Sequence, residues 1–264
     1  MKMAILLVAA LFGAAQACAQ EIPAGMRNAQ IVYLGEVHDN PVHHERQAGF
    51  VSAVNPAALV FEMLTDDQAA QANTQSRSDR QALETALDWQ NFGWPDFGKY
   101  HPLFAAVPQA KIYGAAVPRE IARQAMKDGI AHWFGPEAAT FGLTTNLPDT
   151  QQTEREALQM AAHCDALPQS MLPVMVDLQR LRDAVLARSA LRALDETGGP
   201  VIVITGNGHA RKDWGAPSYV AALRPEVSQY ALGQSEDDET PDPAFDLILS
   251  APAAEREDPC AAFR

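Results

Sequence analysis

The sequence predicts an α/β protein of three layers, with a largely parallel central sheet flanked by helices. Two observations carry this. Short apolar runs rich in β-branched residues recur along the chain, with the length and composition of strands buried on both faces. Between them lie longer amphipathic stretches, and strands separated by helices imply βαβ units.

The first run is Gln30-Ile31-Val32-Tyr33-Leu34, ended by Gly35, and the second is Ala57-Ala58-Leu59-Val60-Phe61, ended by Glu62. The third is Ala110-Lys111-Ile112-Tyr113-Gly114. The fourth, Pro200-Val201-Ile202-Val203-Ile204-Thr205, runs into Gly206-Asn207-Gly208, and the last is Phe245-Asp246-Leu247-Ile248-Leu249. Helical spacing covers 42–54, 66–74, 79–88, 119–131, 152–164, 169–196 and 217–223. No internal repeat, low-complexity tract or interdomain linker interrupts the pattern, so one domain is expected.

The first residues read differently. Lys2 precedes the apolar run Met3 to Ala15 and the small-residue stretch Ala17-Cys18-Ala19, the order of a signal peptide with its cleavage site. The expectation is a cleaved leader over 1–19 and a single mature domain over 20–264, periplasmic or secreted and soluble. A lipoprotein held through Cys18 is the alternative, although Ala15-Gln16-Ala17 makes a poor lipobox. No later segment is long and apolar enough to cross a bilayer. Loss of Cys18 leaves Cys164 and Cys260, an even pair expected to be bridged in an oxidising compartment; two free buried thiols are the alternative.

Charge excludes one class of partner. There are 33 Asp+Glu against 20 Lys+Arg, a formal net charge of -13, whereas nucleic-acid binding needs a basic face. The acidic run Glu236-Asp237-Asp238-Glu239, next to Pro241 and Pro243, reads as a solvated loop in preference to a metal site.

In an open parallel sheet, ligands bind just beyond the carboxyl ends of the strands. Glu36, His38 and Asp39 follow the first strand, Glu62 the second, Val117-Pro118-Arg119 the third, and Asn207, His209 and Arg211 the fourth. Two carboxylates and two imidazoles on one edge, Glu36, Glu62, His38 and His209, permit metal ligation or general acid–base chemistry. His43 and His44 read as a solvated helix start, with a role for His44 left open. A second group is aromatic and thioether-rich and includes Trp89, Trp94, Tyr100 and Met175. Methionines at helical spacing are usually core filler, and core packing is the leading reading of the group. The alternative is that Tyr100, between Gly98-Lys99 and Pro102, sits in a loop with its hydroxyl free, an environment suited to an axial phenolate. No serine elbow, phosphate-binding loop or CxxC pair is present.

Together these motifs resemble the ChaN-like family of exported haem-binding, iron-uptake proteins. The resemblance rests on Leu34-Gly35-Glu36-Val37-His38-Asp39-Asn40 with His44 and Gln47, then Phe61-Glu62-Met63 with Gln68. Tyr100-His101-Pro102-Leu103, Val117-Pro118-Arg119 and Gln179-Arg180-Leu181-Arg182-Asp183-Ala184 follow. Gly206-Asn207-Gly208-His209-Ala210-Arg211 with Asp213 and Gly215-Ala216-Pro217 closes the set. Two positions depart from the family pattern: Val185-Leu186 where a methionine usually follows Arg-Asp-Ala, and Val117 where a polar residue is common.

The resemblance implies a fold shared with erythromycin esterases and the Tiki and TraB-type proteins. It implies haem as ligand and partner, with a facing pair of haems across a homodimer as one arrangement. Tyr100 is the implied iron ligand, and His38, His44, Arg119, His209, Arg211 and Met175 the surrounding wall. The same superfamily supplies a rival reading, a metal-dependent hydrolase, esterase or protease. In it Glu36, His38, Glu62 and His209 hold a divalent metal or activate water, and Arg119 or Arg211 neutralises developing charge. A scaffold with a vestigial site is the third reading.

Overall fold

The computed structural model describes residues 22–237, 239, 244–258 and 260–261. The expected leader over 1–19, with Cys18, lies outside the described residues, and so do Asp238, Pro241 and Pro243 of the acidic loop.

In chain order the elements are α1 (Ala24–Asn28), β1 (Ile31–Glu36), α2 (Pro41–Val54), β2 (Ala58–Phe61), α3 (Asp66–Thr74), α4 (Arg80–Ala86), α5 (Phe97–Ala106) and β3 (Lys111–Gly114). There follow α6 (Arg119–Asp128), α7 (Ile130–Phe134), α8 (Asp149–Ala162), α9 (Leu172–Thr197), β4 (Val201–Gly206), α10 (Asn207–Ala210), α11 (Ala216–Leu223), β5 (Gln229–Glu236) and β6 (Leu247–Ala251). The six strands form one sheet in the order β3-β2-β4-β1-β5-β6, and every pairing is parallel.

All five expected strands are present, and the sheet has a sixth, β5. It pairs with β1 on one side and β6 on the other. Its sequence, QYALGQSE, mixes small and amide side chains with apolar ones, so it carries no continuous apolar run.

Alternation along each strand divides the core between the two faces of the sheet. Ile31, Tyr33, Val60 and Val203 pack with the apolar side of α9, including Leu181, Ala184 and Ala187. Val32, Leu34, Leu59, Phe61, Ile202 and Ile204 pack on the other face with Phe50, Trp89, Phe97 and Phe104. β1 and β4 are buried at every position, which is why they read as unbroken apolar runs.

Local chemistry sets the helix starts. The Asn40 side chain accepts from the Val42 amide and Pro41 stands in the first turn of α2, a pairing suited to a helix entrance. Thr65 and Gln68 form a reciprocal capping box at α3. Gly129, at φ +88°, separates α6 from α7, where the sequence suggests one helix over 119–131.

The chain around Tyr100 differs from expectation. Residues expected to form a loop form α5, capped by Asp96 and containing Pro102. Gly98 and Pro102 are poor helix residues, and burial of Phe97, Tyr100, Leu103 and Phe104 against the sheet outweighs their cost.

The expected bridge is present: Cys164, just beyond α8, is joined to Cys260 in the C-terminal tail. The tail is also fixed by Arg256, which meets Asp39 at 2.7 Å and Glu236 at 2.6 Å.

Candidate functional site

Strand register creates the site. Glu36 at the end of β1 lies beside Gly206 of β4, and Phe61 of β2 lies beside Ile204. Glu62, one residue further on, therefore meets the last turn of β4. Its Oε2 accepts from Thr205 Oγ1 at 2.6 Å and from the Gly206 amide at 2.8 Å. Two glycines let the elements close up. A Cβ at Gly206 would lie 3.0 Å from His38 Nε2, and one at Gly35 would collide with Asn207 Oδ1 and the Leu232 carbonyl.

From this register a continuous polar line follows. The Tyr100 hydroxyl donates to Glu36 Oε1 at 2.8 Å, and His38 Nδ1 meets the same oxygen at 2.7 Å. His38 Nε2 faces Glu62 Oε1 at 4.0 Å, and His209 Nε2 faces that oxygen from the other side at 3.7 Å. His209 Nδ1 closes the line on Asp183 Oδ1 at 2.6 Å. A carboxylate at Nδ1 thus orients each imidazole and leaves its Nε2 towards Glu62.

The charges reinforce one another. Burial opposes an ionised Glu62, but His209, His38 and the donors on Thr205 and Gly206 bring its carboxyl down to about 2. Burial likewise opposes a charged His38, yet its bond to Glu36 and the charges of Glu62, Glu36 and Asp39 raise it to about 9. For the His209–Asp183 pair, burial raises the Asp183 carboxyl, and His209 is raised by Glu62 and Asp183 against its own burial. Both directions mean that the pair holds its proton tightly.

Four of the expected residues, Glu36, His38, Glu62 and His209, come together as the sequence suggests. Tyr100 is among them, but not as expected: it is fully buried on α5 and its hydroxyl is engaged. Burial first, then the Glu36 carboxylate, pushes its phenol far above the ordinary range, so a phenolate is disfavoured there. His43 and His44 are not solvated either. Both are buried; His43 Nδ1 accepts from the Val37 amide at 3.0 Å, and His44 Nε2 meets the His38 carbonyl at 2.8 Å. His44 also packs edge-on against the Tyr100 ring.

The two arginines separate. Arg119 stands exposed at the start of α6, its guanidinium against Gly93. Arg211 is buried elsewhere, forked on Asp213 at 2.6 Å and stacked 3.8 Å above the Trp214 ring. Met175 is half-buried on α9, eight residues before Asp183 and so about 12 Å from it along the axis.

Beside Glu62 opens a cleft of about 270 Å³, walled by Phe92, Trp94, Val117 and Pro118, with Arg119 and Arg182 at its polar side. Trp94 also packs against the His38 imidazole, with ring centroids 5.1 Å apart. A third of the His38 side chain is exposed. Among the described residues, no group of three or more His, Cys, Asp or Glu side chains is placed to hold a metal ion. Two partners of the site carry little signal in sequence. Asp183 sits in a charged helical stretch, and Thr205 ends an apolar strand; a strand-end hydroxyl beside an acidic strand end was the one available cue.

The family model described as haem-binding uptake, Tiki superfamily, ChaN, matches residues 22–220. No curated protein sequence matches the chain. Among solved structures, ChaN of Campylobacter jejuni, described with cofacial haem binding, shares this architecture, at a TM-score of 0.65 and 18% identity, covering 84% of this chain and 88% of that one. A mutant erythromycin esterase in its open conformation gives a TM-score of 0.45 at 14% identity, over 83% of this chain and 75% of that one. A type III effector gives 0.44 at 13%, over 85% and 88%.

Proposed function

Because the chain belongs to the ChaN family of haem-binding uptake proteins within the Tiki superfamily, we propose that it binds haem at the cleft beside Glu62. The observation that carries this is the cleft's composition. Aromatic and apolar walls from Phe92, Trp94, Val117 and Pro118 suit a flat macrocycle, and Arg119 and Arg182 suit its two carboxylates. Phe92 is one of the few large apolar side chains left exposed, at 37%.

The residues fit the group in one respect that differs from expectation. His38 is the accessible donor beside the cleft, a third exposed and against Trp94. Tyr100 stands behind it, closed off by Glu36. Neutral imidazole is the ligand form, so the proton that Glu36 and Glu62 hold on His38 must leave before it can coordinate.

At about 270 Å³ the cleft falls below the roughly 300–1,000 Å³ of sites that enclose most of a drug-sized ligand. A porphyrin seated here projects past Phe92, and a second copy of the chain is its natural cover. The proposed role is therefore haem or iron handling after export, by a protein that pairs when loaded. Hemin titration of the purified protein, followed at the Soret band and by sedimentation, tests both parts. A saturable spectral change with a shift from monomer to dimer supports them, and a spectrum that only tracks free hemin contradicts them.

A second reading keeps one specific observation. Two imidazoles each backed by a buried carboxylate resemble an acid–base pair, which is the observation that favours the hydrolase reading. Turnover of carboxylic esters that disappears in His209→Ala supports it; no turnover removes it.

A further inference from the structure

On the far side of the His209–Asp183 pair lies a second opening, between α8, α9 and the segment that follows α10. Glu62 and Asp183 address opposite nitrogens of His209, and Asp183 lines this opening whereas Glu62 lines the cleft. It has two lobes, of about 280 and 640 Å³, which share Leu158, Arg211 and Trp214.

Arg155 of α8 lines the inner lobe. It is only 8% exposed, and its Nε is buried without a hydrogen-bond partner. No acidic side chain among the described residues reaches it within ion-pair distance; Asp183 and Asp213 act on it only at longer range. Its guanidinium lies over the Trp214 ring, 5.0 Å from the centroid. Burying a cation without a counter-charge is costly, and an arginine fork is shaped to receive a carboxylate.

The neighbouring charges define the missing one. Arg211 is engaged by both oxygens of Asp213, and His209 by Asp183. Glu154 of the outer lobe is exposed to solvent, and Arg155 is the buried positive charge of the opening with no carboxylate among the described residues at ion-pair distance, which suits a monoanion. A dianion such as phosphate would meet repulsion from Asp183 and Asp213. Ala157, Leu158 and Trp214 give the opening an apolar and aromatic wall, with Leu158 40% exposed and Trp214 half-buried, while Glu154, Gln159 and Gln179 line its polar side. We propose that this opening binds an aromatic monocarboxylate, the carboxylate received by Arg155 and the ring lying along Leu158 and Trp214. The site is independent of the haem reading, since it shares no lining residue with the cleft beside Glu62.

Calorimetric titration of the full mature protein with 1-naphthoate, and with the neutral 1-naphthalenemethanol as its isostere, tests the proposal. The expected result is saturable naphthoate binding, at least tenfold tighter than that of the alcohol. It should fall at least tenfold in Arg155→Gln and only partly in Arg155→Lys. A structural role for Arg155 would lower the melting temperature in Arg155→Gln, whereas relief of an unpaired buried charge leaves it unchanged or raises it. If Arg155→Gln fails to fold, the comparison of acid with alcohol on the wild type decides. No saturable binding, equal binding of acid and alcohol, or naphthoate affinity unchanged in a folded Arg155→Gln would each overturn the site.

Discussion

The Tyr100 hydroxyl and His38 Nδ1 share one acceptor, Glu36 Oε1, at 2.8 and 2.7 Å. One buried carboxylate oxygen thus ties α5 to the segment after β1 and fixes the direction in which His38 points. Tyr100 acts on the site through Glu36, from a position with no exposure of its own.

Replacing Tyr100 by Phe removes one hydrogen bond to a charged acceptor and keeps the packing. The expected loss is about 1.5–3 kcal/mol of stability, read by urea unfolding. The hemin Soret position should stay where it is, while His38→Ala should move it. A spectrum altered by Tyr100→Phe and indifferent to His38→Ala would return the iron to the phenol.

Thr205→Val tests the seat of Glu62. The substitution is close to isosteric and removes the 2.6 Å donor to Glu62 Oε2, leaving the Gly206 amide. A loss of about 1.5–3 kcal/mol is expected. An unchanged midpoint and slope in denaturant would show that the hydroxyl contributes nothing.

Stability should depend on pH with opposite signs from two groups. His38 rises from its ordinary 6.5 to about 9, so its contribution is complete below pH 6.5 and is lost as pH rises through 9. Glu62 falls from 4.5 to about 2, so its contribution is complete above pH 4.5 and is lost as pH falls through 2. The ligand-free protein should therefore melt highest between about pH 4.5 and 6.5, and the decline from 6.5 to 9 should flatten in His38→Ala. A decline of equal steepness in that variant would assign it to other groups.

The Cys164–Cys260 bridge spans a sequence separation of 96. Opening it by the double change to Ser should cost about 3–5 kcal/mol in the chain-entropy model. Arg256 would still hold the tail to Asp39 and Glu236, so the spectrum of bound hemin should survive. Loss of hemin binding together with the bridge would place the tail in the site itself.

Much of this architecture is legible in the sequence because burial on both faces writes strands as unbroken apolar runs, as in β1 and β4. β5 is not legible, since Gly233, Gln234 and Ser235 are buried in it without being large or apolar. α5 is hidden by Gly98 and Pro102, whose local preference the packing of Phe97 and Tyr100 overrides. The strand-end rule brings Glu36, Glu62, His38 and His209 together, because it depends only on parallel strands. Depth is what it leaves out: nothing in the pattern near Tyr100 or His44 distinguishes a buried partner from an exposed one. Asp183 belongs to a motif of the resemblance, but its pairing with His209 is found only when α9 is laid across the sheet, since the spacing between positions 183 and 209 carries no signal.

The most direct test of haem binding at the Glu62 cleft is one hemin titration, run on the wild type and on Arg119→Glu. Arg119 is exposed at a helix start, where substitutions usually change stability by no more than about 0.5 kcal/mol, so the comparison reads binding. The expected result is a saturable Soret change at one hemin per chain, weakened at least tenfold when the guanidinium becomes a carboxylate. Unsaturable hemin uptake, or equal affinity in the two proteins, would contradict the assignment of the cleft.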